Sequence, residues 1–202
     1  MARMHWLTSP HALAPSLPAI WLIDSGAAPR TLPERSALRR STARTIVAAQ
    51  TGLTADAITI AHDGAGRPLL PGTGLHLSLA TRAGIVAIGL SDRPAGVDVE
   101  LVPDDMQAEA LLHPEERSML AGLRGIERGE HFARLWAAKE AFVKALGTGF
   151  VTAPDSFRVL LGAAGQGFSV HAPGRPGPAI GHDRLMKNGG QEILAAAMIV
   201  LD

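Results

Sequence analysis

Two acidic side chains in the segment GVDVE, residues 96–100, are the first candidates for chemistry in this sequence. Asp98 and Glu100 are two positions apart, and their neighbours Val97 and Val99 predict a strand. Because successive side chains of a strand point to opposite faces, both carboxylates are expected on one face. Such a pair can bind a hard cation such as Mg²⁺, which takes carboxylate oxygens and keeps waters or substrate phosphates in its other positions. An amphipathic strand with a solvated acidic face is the alternative, since the pattern often arises by chance.

A second set of candidates lies on a predicted helix in the stretch EHFARLWAAKEAFVKAL. The apolar residues recur at helical spacing and form one stripe, made up of Phe132, Leu135, Trp136, Phe142, Val143 and Leu146. Lys139 falls in the middle of this stripe, where an ammonium is costly unless it reaches water or meets an anion. Glu140 and Lys144 lie along the edge, and a surface pair four residues apart is their simplest explanation. A bound polyanion beside both lysines, with a cation held by Glu140 and the strand carboxylates, would account for all three residues.

Other candidates have a structural explanation beside the functional one. Arg67 lies in a Gly- and Pro-rich turn and could reach a phosphate, and Ser78 could donate its hydroxyl from a strand. Glu115 and Glu116 open a predicted helix, where the helix dipole already favours acidic residues. The predicted helix at 33–50 has a basic face that solvent exposure alone can explain, formed by Arg35, Arg39, Arg40 and Arg44.

The composition excludes several classes of protein and site. The 202 residues include 19 basic and 19 acidic side chains, and this balance argues against nucleic acid or an anionic membrane as the main partner. The absence of cysteine excludes disulfides, thiolate metal sites and cysteine nucleophiles. No apolar run approaches the roughly 18–20 residues of a membrane helix, and the N-terminal segment lacks the apolar core of a signal peptide. We therefore expect a cytoplasmic protein.

The helices and strands expected from the sequence indicate an α+β fold. We predict two small lobes, residues 1–102 and 103–202. Besides the helix at 33–50, residues 104–146 are expected to be mostly helical, with one helix beginning near Pro114. Residues 171–183 are expected to form a flexible loop because of their prolines and glycines. The expected strands are 19–24, 57–61, 75–79, 85–90, 96–102, 156–161, 167–171 and 192–200.

The two candidate segments together resemble the signature pair of the 4'-phosphopantetheinyl transferases. That family reads G-x-D-x-E and, further on, W-x-x-K-E-A-x-x-K with a Gly-rich exit, and the second motif matches here at Trp136, Lys139, Glu140, Ala141, Lys144 and Gly147. A fainter likeness extends over roughly residues 33–161. The length resembles the larger surfactin-type members, which are pseudo-dimeric chains of two similar lobes with the active site at the lobe interface, and which usually act as monomers.

The resemblance implies a reaction. The phosphopantetheine arm of coenzyme A would move to a serine of an apo acyl or peptidyl carrier protein, with Mg²⁺ as cofactor and 3',5'-ADP as the released product. Asp98, Glu100 and Glu140 would hold Mg²⁺. Glu140 or Glu116 would accept the serine proton, and Glu116 would lie at a metal-bound water. Lys144 would contact the transferring phosphate or protonate the leaving group.

The resemblance also implies which residues bind the donor. Contacts to the phosphates of coenzyme A would come from Lys139, Lys144, Arg67 and Ser78, with Arg35 at the 3'-phosphate. The carrier protein would dock through an acidic helix, for which the apolar residues Leu112, Met119 and Leu123 are candidate contacts.

One position departs from the family pattern and keeps alternatives open. The strand before the metal motif usually reads S-H-S, with the histidine on a coenzyme A phosphate, whereas this chain has Ser78, Leu79 and Ala80. A charge-assisted contact of that kind is worth about 1.5–3 kcal/mol. A non-catalytic homologue that binds coenzyme A or a carrier protein is therefore the alternative. A more distant one is a different metal-dependent phosphodiester enzyme that uses the same three carboxylates.

Overall fold

The computed structural model describes residues 4–26, 31–103, 107–148, 151–163, 165–188 and 192–202. Strands from the first half form a six-stranded sheet in the order β1-β2-β6-β5-β4-β3, in which β1 and β2 are parallel and all other pairs antiparallel. The strands are β1 (His5–Leu7), β2 (Ala19–Asp24), β3 (Ala61–His62), β4 (Pro68–Leu69), β5 (His76–Arg82) and β6 (Ile85–Ser91). Helix α1 (Leu32–Thr51) packs on one face of this sheet.

A five-stranded antiparallel sheet follows, in the order β7-β11-β10-β9-β8. Its strands are β7 (Ala95–Leu101), β8 (Arg158–Leu161), β9 (Phe168–His171), β10 (Ala179–Asn188) and β11 (Glu192–Val200). Two helices precede β8, namely α2 (Pro114–Ala121) and α3 (Gly125–Leu146). Strand β7 therefore belongs to the sheet of the second half, although the predicted lobe boundary at residues 102 and 103 follows it.

Three apolar clusters arrange these elements in four layers. In β2, Trp21 faces α1, whereas Ile20 packs between the sheets with Val97 and Met198. The third cluster lies between the second sheet and α3 and includes Phe142. Central strands buried on both faces appear in the sequence as continuous apolar runs, which is why β2, β6 and β11 could be recognised there.

The helix boundaries follow from local capping. Thr31 and Glu34 form a reciprocal capping box at the start of α1, with Pro33 in the first turn. Gly52 ends α1 and Gly147 ends α3, both in the left-handed backbone region that favours glycine. The predicted helix at 33–50 is confirmed, and so is the helix that begins at Pro114.

Strand β7 and helix α3 approach each other closely at Gly96. A Cβ atom added there would lie 1.8 Å from the carbonyl oxygen of Ala141 and 2.6 Å from the amide nitrogen of Ala145. Both are backbone atoms of α3, so no side-chain rotation could make room. The glycine thus lets α3 lie directly on β7, the strand that bears Asp98 and Glu100.

One expected strand is wrong. Residues 57–61 do not form a strand, since Ala55–Ala57 is a 3₁₀ turn and pairing begins only at β3. Ile58 is 3% exposed and packs with Ile60 against the α1 cluster. The alternation of apolar residues at 57–61 therefore comes from two isoleucines that pack a connecting segment against the cluster under α1.

The expected loop at 171–183 is also wrong in its second half, because β10 begins at Ala179 directly after Pro178. Two of the inward positions of β10 are not hydrophobic. Gly181 lies under the ring of Phe168, where a Cβ would come within 2.2 Å of Cζ. Asp183 is buried in an ion pair with Arg134 of α3, at 2.5 Å between Oδ2 and Nε. This strand carries no apolar alternation by which the sequence could have predicted it.

Replacing Gly96 by alanine tests the helix–strand contact. The new methyl group collides with the backbone of α3, so Gly96→Ala should lower the free energy of unfolding by about 1–3 kcal/mol or more in urea denaturation. Gly64→Ala is the matched control, because nothing lies within 4 Å of a Cβ at that position. Equal stability of the two variants would contradict the contact.

Candidate active site

The centre of the site is an ion pair between β7 and α3. Asp98 is buried, and its Oδ1 accepts a hydrogen bond of 2.6 Å from Nζ of Lys144. The same ammonium donates to the carbonyl oxygen of Val97 at 3.3 Å. Within the described residues, Oδ2 of Asp98 is buried without a partner. Burial raises the pKa of Asp98 against the opposing effect of Lys144, so this carboxylate has unused capacity for a cation.

Two further carboxylates share the electrostatic field of Asp98. Burial, followed by the charge of Asp98, raises the pKa of Glu100 to about 7, although Arg82 Nε lies 3.4 Å from its Oε2. Burial and the charge of Asp98 also raise the pKa of Glu140 on α3. Glu100 and Glu140, whose ionisation burial and the charge of Asp98 hinder, form together with Asp98 a site that a cation would stabilise.

The donor chemistry of these carboxylates fits Mg²⁺, which prefers oxygen ligands. Their arrangement is not that of a preformed metal site, because no set of three metal-ligating side chains in the described part of the chain is grouped for coordination. Lys144 holds one oxygen of Asp98 instead. The metal roles of Asp98, Glu100 and Glu140 therefore stay predictions.

A cavity of about 320 Å³ opens beside this ion pair, between α1 and β5 on one side and α3 on the other. Its described lining includes four cationic side chains and one carboxylate, Glu140. Its charge therefore favours an anionic ligand. The lining residues are Ser36, Arg39, Arg40, His62, Ala65, Gly66, Arg67, Pro68, Leu77, Ser78, Leu79, Glu140, Val143, Lys144, Gly147, Thr152 and Pro154.

Arg67 and Ser78, both expected at the site, line this cavity. Arg67 pairs with Asp63 at 3.1 Å, and its Nη1 would lie 2.7 Å from a Cβ at Gly147, so the missing side chain makes room for the guanidinium. Ser78 is 4% exposed, and its Oγ accepts a hydrogen bond of 2.9 Å from the amide of Val97. This bond joins β5, which lines the cavity, to β7 of the second sheet, on which α3 lies.

Lys139 and Glu116 form a buried ion pair, and neither side chain lines the cavity. Nζ of Lys139 is 2.9 Å from Oε1 of Glu116 and donates to the carbonyl oxygens of Pro154 and Phe157, at 2.7 and 2.8 Å. Glu116 also accepts from the amides of His113 and Val159. Lys139 does meet an anion inside the apolar stripe, and that anion is a carboxylate of the same chain.

These contacts favour a positioning role for the Lys139–Glu116 pair. Both side chains are at most 2% exposed, and together they tie α3 to α2 and to the segment before β8. Neither side chain is among the residues that line the cavity, although Pro154, to whose carbonyl oxygen Lys139 donates, is one of them. The contacts to coenzyme A and to a metal-bound water that the family resemblance implies stay predictions, and this geometry does not favour them.

Two residues of the site were considered in the sequence only as part of a basic helix face and were given no role there. Arg39 and Arg40 of α1 line the cavity, whereas the nominated Arg35 lies one turn earlier, with its Nε buried and unpartnered among the described residues. The basic cluster on the helix was the available signal. A solvated face explains that cluster equally well until the fold places α1 against the cavity.

The apolar residues considered for carrier docking differ in their exposure in the structure. Leu112 is fully buried and Leu123 packs against the same cluster, so both belong to the core. Met119 is 41% exposed, so it is the one of the three that a partner could contact.

The helices in the described part of the chain include none with the length and apolar character of a membrane span.

Comparison with known proteins identifies relatives of the chain. Residues 94–183 match the family model of the 4'-phosphopantetheinyl transferase superfamily. The chain is 28% identical over 138 residues to 4'-phosphopantetheinyl transferase Sfp of Bacillus subtilis (strain 168), a match covering 67% of this chain and 61% of that protein. It is 34% identical over 112 residues to 4'-phosphopantetheinyl transferase ffp of Bacillus subtilis, covering 54% and 49%. The chain thus spans about half to three-fifths of the length of these curated relatives.

Solved structures show a more distant similarity. A holo-(acyl-carrier-protein) synthase from Bacillus anthracis, in complex with CoA (3',5'-ADP), is 22% identical, with a TM-score of 0.40 over 54% of this chain and 96% of that chain. The holo-[acyl-carrier-protein] synthase of Thermotoga maritima is 21% identical, with a TM-score of 0.36 over 54% and 64%.

The site belongs to an α+β protein whose acidic strand motif, lysine-bearing helix and basic cavity meet at one place. The superfamily model over residues 94–183 and the curated relatives support membership of the 4'-phosphopantetheinyl transferase superfamily, in agreement with the resemblance found in the sequence.

A stability measurement separates a positioning role of Lys139 from a ligand-binding role. Lys139→Met leaves Glu116 buried without its partner and should lower the free energy of unfolding by about 3–5 kcal/mol. Lys187→Met, at an exposed lysine of β10, should change it by less than about 0.5 kcal/mol. Unchanged stability of Lys139→Met, with a loss of coenzyme A affinity, would instead assign Lys139 to ligand binding.

Proposed function

We propose that this chain is a Mg²⁺-dependent 4'-phosphopantetheinyl transferase that modifies a serine of an apo acyl or peptidyl carrier protein. The observation that carries the proposal is the Asp98–Lys144 ion pair at the edge of a basic cavity, with Glu140 in the same wall. A phosphate transfer needs positive charge around the phosphate and a carboxylate that can accept a proton. Both lie within this one arrangement, in a chain whose residues 94–183 match the model of the superfamily.

The cavity is suited to the nucleotide end of coenzyme A, which carries a pyrophosphate and a separate phosphomonoester. Its cations lie on two walls, with Lys144 on α3 and the arginines on α1 and the turn before β4. Apolar side chains between them, Leu77, Leu79 and Val143, supply surface for a nucleoside. Two phosphate groups joined by a ribose match this distribution of charge.

The proposed reaction is a single displacement at phosphorus. The carrier serine Oγ forms a bond to the phosphorus that bears the pantetheine arm, the bond from this phosphorus to the bridging oxygen breaks, and 3',5'-ADP leaves with that oxygen. The carboxylate of Glu140 accepts the serine proton, and Nζ of Lys144 neutralises charge on the departing phosphate. Mg²⁺, held by Asp98, Glu100 and Glu140, would neutralise the pyrophosphate when bound. The chain's own residues contribute mainly by positioning these charges.

We also propose that the two sheets with their helices correspond to two lobes of a pseudo-dimeric chain, with the active site between them. Elements of both halves of the chain, α1 and β5 on one side and α3 on the other, line the cavity, which supports a site that a monomer completes. The pairing of β7 with β11 favours a lobe boundary before Ala95, which differs from the division at residue 102 expected from the sequence.

The direct test is intact-mass spectrometry of an apo carrier protein incubated with the chain, coenzyme A and Mg²⁺. A gain of one phosphopantetheine that EDTA abolishes is expected. Absence of any gain on carriers from fatty-acid, polyketide and peptide synthesis would contradict the proposal.

Variants of the carboxylates extend this test to the mechanism. Asp98→Asn and Glu140→Gln should each lower the transfer rate by about 100-fold or more, because each removes charge that the metal site and proton transfer require. Glu127→Gln, at an exposed position on the same helix, is the control and should keep the wild-type rate. Full activity of either active-site variant would rule out the assigned roles.

The second candidate, a homologue that binds coenzyme A without transfer, is favoured by Leu79 in the cavity wall. It predicts saturable coenzyme A binding in calorimetry with no change in carrier mass. Transfer by the wild-type chain would exclude it.

A further inference from the structure

A second cavity, of about 450 Å³, opens in the second half of the chain. The start of α2 and the residues around the start of β8 line one side, and the end of β9 with the turn that follows lines the other. Among the described residues, it shares no lining residue with the active-site cavity, which Arg67 and Lys144 line. Its polar side chains are two arginines, two histidines, one serine and one carboxylate, namely Arg158, Arg175, His113, His171, Ser156 and Glu115. The charge of this cavity therefore also favours an anion.

A tight turn after β9 fixes the position of Arg175. The amide nitrogen of Arg175 donates to the carbonyl oxygen of Ala172 at 3.3 Å, across Pro173 and Gly174. Gly174 has a φ of +77°, and proline followed by a glycine with positive φ is the combination typical of a type II turn. Strand β9 ends directly before the turn, and β10 begins at Ala179. Both ends of the turn are thus attached to the second sheet.

The Arg175 side chain has no counter-ion. Within the described residues, its Nε is buried without a hydrogen-bond partner, and none of the ion pairs there involves its guanidinium group. A buried donor that stays unpaired costs free energy, because it has left water without a replacement. Arg175 also borders a third cavity, but the carboxylate of Asp202 there pairs with Arg93. Arg175 therefore keeps its donors for an anion that the described chain does not provide.

Three further side chains of the second cavity can donate hydrogen bonds. Nδ1 of His113 accepts from the amide of Glu115 at 3.3 Å, so the neutral ring carries its proton on Nε2 and donates from there. Arg158 pairs through Nη1 with Glu115, which leaves the other nitrogens of the guanidinium fork as donors. This ion pair competes weakly with a ligand, because the Glu115 side chain is 61% exposed. Nε2 of His171 lies 3.2 Å from Oγ of Ser169, and the ring borders the cavity.

The second cavity is connected to the active-site cavity by one backbone segment, residues 154–158. Pro154 lies in the wall of the active-site cavity, whereas Phe157 and Arg158 lie in the wall of the second. Nζ of Lys139 donates to the carbonyl oxygens of both Pro154 and Phe157. An anion bound at Arg158 thus contacts the end of a segment that also forms the active-site wall, and a ligand of the folded chain stabilises that position.

We propose that the second cavity binds a phosphate group, either free phosphate or the phosphomonoester of a small molecule. Guanidinium and imidazole donors reach this cavity from β8, from the turn after β9 and from the start of α2. A phosphate has at least three terminal oxygens, so donors from three elements can each bond a different one, whereas a carboxylate has only two. Arg175 is the principal contact, because its charge is not neutralised within the described chain.

Phosphate titration followed by NMR of the histidine rings tests this assignment, because the histidines report on different cavities. At constant pH and ionic strength, inorganic phosphate should shift the signals of His113 and His171 along one saturable curve, with a dissociation constant of about 1 mM. His62 reports on the active-site cavity and His182 on the third cavity. A second titration with phenyl phosphate distinguishes the sources, since tighter binding assigns a monoester and equal binding assigns free phosphate.

Variants of the principal contact sharpen the test. Arg175→Gln should weaken the phosphate binding seen at His113 and His171 by about tenfold, because it removes a charge-assisted contact. Arg175→Lys keeps the charge without the guanidinium fork and should retain part of the affinity. Arg93→Gln is the matched control, since this arginine lines the third cavity and already pairs with Asp202, and it should titrate like wild type. Circular dichroism and thermal unfolding establish that the variants fold.

Three results would overturn the inference. Saturable shifts confined to His62 or His182 would place phosphate in another cavity. A response that does not saturate and equals that of chloride would show screening of charge only. Titration of Arg175→Gln with the wild-type dissociation constant would remove the principal contact. None of these outcomes depends on coenzyme A or on transfer to a carrier, so the inference and the proposed function can fail separately.

Discussion

The direct contact between α3 and β7 at Gly96 is the constraint on which the site depends. A strand and a helix can approach this closely only where the strand has no side chain, since a Cβ would overlap the carbonyl oxygen of Ala141. With α3 held there, Lys144 reaches Asp98 two residues further along the strand. The glycine of the acidic motif therefore has a geometric function, whereas the carboxylates have a chemical one. Around this contact, the Lys139–Glu116 pair fixes α3 to α2, and the Arg134–Asp183 pair fixes it to β10.

The unfavourably placed charges of the molecule are concentrated at the same site. Burial and the charge of Asp98 raise the pKa of Glu100 and of Glu140, which lines the α3 wall of the cavity, whereas burial and repulsion from Arg35 and Arg40 lower the pKa of Arg39 on the α1 wall. Each group is unfavourable in isolation, because buried like charges destabilise the folded chain. A ligand that carries both a metal-bound pyrophosphate and a second phosphate would neutralise the repulsion within both sets of charges. Strain of this kind, kept at one site in an otherwise well-packed protein, is typical of a binding or catalytic function.

Much of the fold and the centre of the site could be predicted from the sequence. The strand alternation at Asp98 and Glu100 and the helical spacing of Glu140 and Lys144 are local signals, and local signals predict local structure. The buried partner of Lys139 could not be predicted, because Glu116 precedes it by more than twenty residues. Strand β10 was missed since its buried positions hold glycine and aspartate, whose partners, Phe168 and Arg134, are known only from the fold. The contribution of α1 to the site could not be predicted either, because it depends on which wall of the cavity the helix forms.

A crystal structure of the chain with coenzyme A and Mn²⁺, which gives an anomalous signal, tests the central claim most directly. The account predicts one metal peak among Asp98, Glu100 and Glu140, with the pyrophosphate beside Lys144 and the nucleotide in the cavity between α1 and α3. Coenzyme A bound at another surface, or a metal held away from these carboxylates, would contradict it.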